Sequence, residues 1–157
     1  MVMKKIWSIN NSPGSTGLAL LVIRVGIAAL MLTHGLPKLV TLLSGEPVQF
    51  PQIMGMSAAL SLVLTVFTEV VCSILLLVGF ATRLSALFLA ITMMVAAFVY
   101  HAADPFAARE PALQYLLAYL VLIIAGSGKY SVDYLIQQKQ NTHIQGKQVR
   151  HLSAGVS

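Results

Sequence analysis

The stretch TGLALLVIRVGIAALMLTHGLPKL, residues Thr16–Leu39, decides the fold. It is long enough to cross a hydrocarbon core, which takes about 20 predominantly apolar residues. Only three of its side chains carry a charge or an imidazole: Arg24, His34 and Lys38. An ionisable group at bilayer depth costs roughly 2.5–3.5 kcal/mol on insertion scales, so it persists where it has a partner or a task. One segment thus points both to a spanning helix and to a polar site within it.

Three further runs of the same kind follow at Ser57–Gly79, Leu84–Tyr100 and Ala112–Gly126, the last drawing on its flank to about Gly128. Of the 157 residues, 57% are hydrophobic and 10% charged, more apolar surface than a water-soluble domain of this size can hide. The expectation is an all-α polytopic membrane protein, an antiparallel bundle of four transmembrane helices over 16–136. An interfacial segment, 1–15, precedes it, with Trp7 at headgroup level and Asn10-Asn11-Ser12-Pro13-Gly14 breaking structure. The tail 137–157, rich in Gln, Asn, Lys and Ser, is expected to be a frayed or disordered cytoplasmic end.

The connections follow from their punctuation. Gly79 can end the second helix and Thr82 cap the third, giving a tight αα-hairpin. Gly45, Pro47 and Pro51 make the next stretch an outer loop, and Val48, Phe50, Ile53 and Met54 are expected to lay it on the bundle. Pro105 and Pro111 bracket the second outer loop, with Pro111 in the first turn of the fourth helix. Gly126-x-Gly128 follows a hydrophobic helix and not a strand, so it reads as helix termination and not as a dinucleotide fingerprint.

The net charge of +5 does not mark a nucleic-acid binder, because the positives flank apolar runs and form no basic-aromatic patch. Lys4, Lys5, Arg83, Lys129, Lys139, Lys147 and Arg150 fall on one side of the spans. The loops on the other side hold Glu46, Asp104 and Glu110 with a single cation, Arg109. The positive-inside rule then puts both termini and the 79–83 turn in the cytoplasm. Cys72 is the only cysteine, which excludes an internal disulfide, a C-x-x-C pair and a thiolate cluster. The first run continues through Arg24 with no A-x-A-like site, unlike a cleavable signal peptide.

Depths from the 1.5 Å rise put Arg24 about 6 Å to the cytoplasmic side of the first span's centre and His34 about 9 Å to the outer side. Glu69 falls within about 2 Å of the centre of the reverse-running second span, so an Arg24–Glu69 pair is expected. Glu69 is then either half of a structural ion pair or the group that handles protons or orients a substrate. His34 and Lys38, four apart, share a helix face, and Gly35 lets another backbone or a ligand come close. His101 closes the third helix on the same outer side, with Asp104 a turn later. Two imidazoles, a lysine and a carboxylate converging near the outer leaflet point to a polar-ligand site, the alternative being interfacial residues. Tyr100, Tyr115 and Tyr119 can hydrogen-bond a polar ligand, an aromatic belt being the preferred reading of the first two. A haem between His34 and His101 is disfavoured by their different depths, and His34, His101 and Asp104 have no recognisable metal spacing. No metal site is expected.

Together these residues resemble the DoxX family of small four-helix membrane proteins. The pattern runs through roughly 17–135: Arg24-x-Gly26, His34-Gly35-x-x-Lys38, Glu69, Gly79-Phe80-x-Thr82-Arg83, and Gly126-x-Gly128-x-x-Ser131-x-Asp133. The resemblance implies a four-helix bundle with both ends cytoplasmic. It further implies sulfur oxidation linked to quinone, resistance to quinones and thiol stress, and complexes with redox partners. The resulting expectation assigns catalytic roles to Glu69, His34 and His101. Arg24, Lys38, Asp104 and Tyr119 would contact the ligand, and Arg83, Gly126, Gly128, Ser131 and Asp133 would be structural. The leading function is binding of a quinone or similar lipid-soluble redox molecule, with electrons supplied through a bound cofactor or a partner subunit. Besides the lipid bilayer, a membrane or soluble redox protein and a second copy of the chain are the partners compatible with it. A non-catalytic anchor of a redox complex competes with this reading. A small transporter or proton pathway is a third, weakened by only four spans and no evident inverted repeat.

Overall fold

A computed structural model describes residues 13–142. The expectations for Lys4, Lys5 and Trp7, and for Lys147 and Arg150, fall outside the described residues. Helix α1 spans Pro13–Leu43, α2 Ala58–Val78, α3 Thr82–Tyr100 and α4 Phe106–Ala125. A fifth, α5, occupies 132–142, and the described residues contain no strand. The first four are long and apolar enough to cross a membrane. At 1.5 Å per residue α3, with 19 residues, reaches about 28 Å, and α1, with 31, about 46 Å. Consecutive helices run antiparallel and form a helical membrane bundle.

The packing is that of a lipid-facing protein. Val22, Leu30, Val40, Leu117 and Ile124 stand on the outside. The interior is built from small side chains, Ala28, Cys72, Ser73, Ser85, Ala86, Ala90, Ala97 and Ala112, around Met31, Leu76, Leu89, Tyr119 and Leu122. Between helices already surrounded by hydrocarbon, burying Leu gains little over leaving it in lipid. Close backbone approach and van der Waals contact hold the bundle instead. Gly35 marks one such approach: a Cβ there would lie 2.8 Å from Val70 Cγ2 and 2.9 Å from Glu69 Cβ.

That contact fixes the register of α1 on α2 and corrects one expectation. Gly35 lies level with Glu69, whereas Arg24 lies level with Gly79, whose added Cβ would meet Arg24 Nη1 at 2.6 Å. Eleven residues separate Arg24 from Gly35, about 16 Å along the helix, so Arg24 and Glu69 do not pair. Equal depth had assumed that each span is centred at the same level. In fact α1 runs past the end of α2, and its first turns pack on the segment after α4, where Gly128 meets Leu20 and Gly17 meets Lys129.

Two ends of the bundle are thereby defined. The loop end carries 44–57 and 101–105. The turn end carries the α2–α3 hairpin and 126–131. At the loop end Val48 and Phe50 pack against Leu62, Val66 and Val70, so that part of the loop lies on the bundle, whereas Met54 stands out from it, 74% exposed. At the turn end Gly79 (φ 74) and Gly126 (φ 80) terminate α2 and α4. Thr82 does not cap α3. The residue ahead of it, Ala81, is left-handed at φ 48, and Asp133 accepts the Ala81 amide at 2.8 Å and the Thr82 amide at 3.0 Å. The cap therefore arrives from beyond α4. Helix α4 starts at Phe106, with Pro111 inside it and not in its first turn; the missing proline N–H deprives only the Ala107 carbonyl, near the helix start. The tail is not frayed at its beginning, since 137–142 continues α5.

Candidate polar site at the loop end

The close approach at Gly35 brings the next turn of α1 against α2. Lys38 Nζ donates to both oxygens of Glu69, at 2.6 and 2.7 Å. The Glu69 side chain is 5% exposed and that of Lys38 32%, so the carboxylate sits inside the bundle and the lysine stem comes in from its rim. An ammonium has three donors; two go to the carboxylate, leaving one N–H for another acceptor. Glu69 lies in a wide, π-helical turn, Phe67–Cys72. Helix α3 does the same at its loop end over Ala96–Tyr100, where the His101 amide donates to Ala96 O at 3.0 Å. Such turns cost regular hydrogen bonding and recur at functional sites. Here both lie on the walls of one site.

Two cavities meet at the ion pair. One, of about 270 Å³, is lined by all four helices, including Met31, His34, Lys38, Glu69, His101 and Tyr115. The other, of about 260 Å³, lies beneath the 44–57 loop against Phe50, Ile53, Thr65, Thr92 and Tyr100. Lys38, Glu69, Ala96 and His101 line both. His101 Nδ1 lies 2.7 Å from Asp104 Oδ2, a contact that fixes the ring and leaves Nε2 for a ligand. His34 meets Tyr115 edge-on at 5.9 Å, and Tyr115 stacks on Tyr119 at 6.2 Å.

Four of the residues singled out from the sequence, His34, Lys38, Glu69 and His101, therefore share one cavity wall, with Asp104 bound to the last. Tyr119 is wholly buried, and its hydroxyl has no hydrogen-bond partner. Arg24 lies at the other end, donating to Ser127 O at 2.6 Å and Tyr130 O at 2.5 Å. Around it gather the residues expected to be structural. Ser131 Oγ donates to Gly128 O at 2.7 Å, the Asp133 amide to Gly79 O at 2.9 Å, and Arg83 Nη2 to Ile124 O at 3.4 Å. This second cluster ties α1, the hairpin and the post-α4 segment together. Sequence reasoning undervalued Tyr115, which lines the four-helix cavity where an aromatic belt had been the preferred reading, and it missed Thr65 and Thr92. The signal within reach was Gly35. A glycine one residue after a histidine in an apolar span marks the level at which another helix comes closest, and Glu69 sits at that level.

A sequence-family model described as DoxX matches residues 19–102, more than half of the chain. The match takes in α1 from its first turns, α2 and α3, with both histidines and the Lys38–Glu69 pair. No curated protein and no solved structure matches the chain.

Proposed function

Because the chain belongs to the DoxX family, we propose that it binds a quinone or similar lipid-soluble redox molecule at the loop-end site and serves quinone-linked oxidoreduction. The observation that carries this reading is the Lys38–Glu69 pair, which stands where two cavities meet, with His34 and His101 on the same wall. A quinone ring presents two carbonyl oxygens that accept hydrogen bonds. The remaining Lys38 N–H and the imidazoles are donors of the right kind, and imidazole exchanges protons near neutral pH. Reduction to the quinol takes two electrons and two protons. Their source would be a reduced-sulfur compound, such as a dithiol going to its disulfide, held by a partner protein. Glu69, His34 and His101 would hold and pass the protons, and Asp104 would keep His101 in orientation. Arg24 and Tyr119 take no part in this proposal.

The protein is proposed to sit in a bacterial inner membrane with both termini cytoplasmic. Supporting this, Arg83 and Lys129 line one hollow at the turn end, while Glu46 and Asp104 lie at the loop end. Cys72 is single and buried, so electrons have to arrive through a partner or a bound group. That observation favours, as a second reading, a non-catalytic membrane subunit that anchors and stabilises a redox complex. Mass spectrometry and an absorption spectrum of gently purified protein test the proposal. A co-purifying quinone near one per chain is expected. A quinone-free protein that takes up none from solution would refute it, and a co-purifying redox subunit without quinone would favour the second reading.

A further inference from the structure

Resting on that reading, we infer that the ligand is an amphiphile whose hydrocarbon chain lies in a covered groove between α2 and α3, entered sideways from the bilayer. The groove, of about 240 Å³, is walled by Leu64, Phe88 and Ile91 and roofed by Ile53, Met54 and Met56. It adjoins the loop-side cavity of the polar site, with Ile53, Thr65, Thr92 and Val95 lining both. The two cavities therefore share a wall, which places the groove beside the Lys38–Glu69 site, under Ile53, Met54 and Met56 of the 44–57 loop.

The groove's chemistry selects a hydrocarbon. Its polar side chains are Ser61, Thr65, Thr68 and Thr92, and each is spent inside the protein. Thr65 Oγ1 donates to Ser61 O at 2.8 Å and Thr68 Oγ1 to Thr65 O at 3.0 Å. Thr92 Oγ1 lies 3.0 Å from both Thr68 Oγ1 and Phe88 O. Ser61 Oγ accepts the Ile53 amide at 3.3 Å, which pins the roof to the start of α2. What remains is an apolar surface under a fastened loop. A chain leaving lipid for this groove gains little from the hydrophobic effect, since its surroundings are apolar on both sides. Its gain is in packing and in fixing the headgroup. The chain thus sets orientation, and the ion-pair end sets recognition.

The test uses a benzoquinone with a photoreactive diazirine a few carbons along its chain, added to the full-length protein in nanodiscs. After irradiation, peptide mapping should find adducts on Leu64, Phe88 or Ile91 that excess unlabelled long-chain quinone suppresses tenfold or more. Ile91→Trp, or Leu64→Trp should the first not fold, is expected to remove these adducts and weaken long-chain quinone about tenfold. Binding of a chainless benzoquinone should stay within twofold of wild type. Competed adducts on α1 or α4 instead would overturn the groove assignment while leaving the headgroup site standing. Groove adducts that resist competition would mean ordinary bilayer lipid fills the groove, which also overturns it. Failure of chainless and long-chain quinone alike to bind wild-type protein would overturn the functional reading itself.

Discussion

Replacing Lys38 with methionine keeps the stem of the side chain and removes its charge, which isolates the Glu69 carboxylate. Two short charge-assisted hydrogen bonds, 2.6 and 2.7 Å, disappear together. Removing one partner of a fully buried pair costs about 3–5 kcal/mol, because the other charge is stranded. Glu69 is nearly enclosed but Lys38 is 32% exposed, so the lower end of that range applies. About 3 kcal/mol corresponds to roughly a hundredfold fall in the folded-to-unfolded ratio. Glu69→Leu should cost less, since the freed lysine can extend to the loop-end surface. The double variant Lys38→Met/Glu69→Leu leaves no charge behind, and its loss should fall short of the summed singles by about 2 kcal/mol. Reversible unfolding in mixed detergent micelles, followed by circular dichroism, gives all four stabilities. Single losses that add to within about 0.5 kcal/mol would show that the two side chains do not stabilise each other, and would refute the reasoning.

Three other outcomes follow from the geometry. Arg24→Ala leaves the Ser127 and Tyr130 carbonyls without their donor and should cost about 3 kcal/mol in the same titration. Combined with Glu69→Gln it should be additive, since the two sites lie at opposite ends of α1; strong coupling would contradict the register. Gly35→Ala places a methyl 2.9 Å from Glu69 Cβ and 3.0 Å from the Glu69 backbone carbon. It should destabilise by about 1–3 kcal/mol, and a neutral effect would mean that α1 and α2 do not touch there. For topology, a cysteine at Met54, which is 74% exposed, should react with an impermeant maleimide on intact spheroplasts, while one at Lys129 should react only after lysis. The reverse pattern would invert the assignment.

The spans were legible in the sequence because a run such as Thr16–Leu39 has few alternatives once its length exceeds what a soluble core accommodates. The polar site was legible for the complementary reason that charge is rare in such runs, so Lys38, Glu69 and His101 stand out singly. Their pairing was not. Depth counted from span centres ignores the overhang of α1, and an error of one helical register moves a partner by tens of degrees and many ångströms. Long-range capping was equally hidden, since nothing local to Ala81 and Thr82 announces that Asp133, 51 residues after Thr82, will accept their amides. The π-turns around Glu69 and before His101 left no pattern that hydrophobic periodicity can read. Tyr115 was misjudged because an aromatic near a helix end satisfies the belt rule whether it faces headgroups or a cavity.

The central claim is that a quinone headgroup docks beside Lys38, Glu69, His34 and His101. Equilibrium binding of a short-chain quinone to purified protein tests it most directly, with wild type compared against His34→Ala and His101→Ala. Each substitution removes a wall residue without touching the ion pair, so both variants should unfold at the wild-type detergent concentration. The account predicts saturable binding by wild type and at least tenfold weaker binding by each variant, from the loss of about 1.5 kcal/mol of hydrogen bonding. Wild-type affinity in both variants would contradict it.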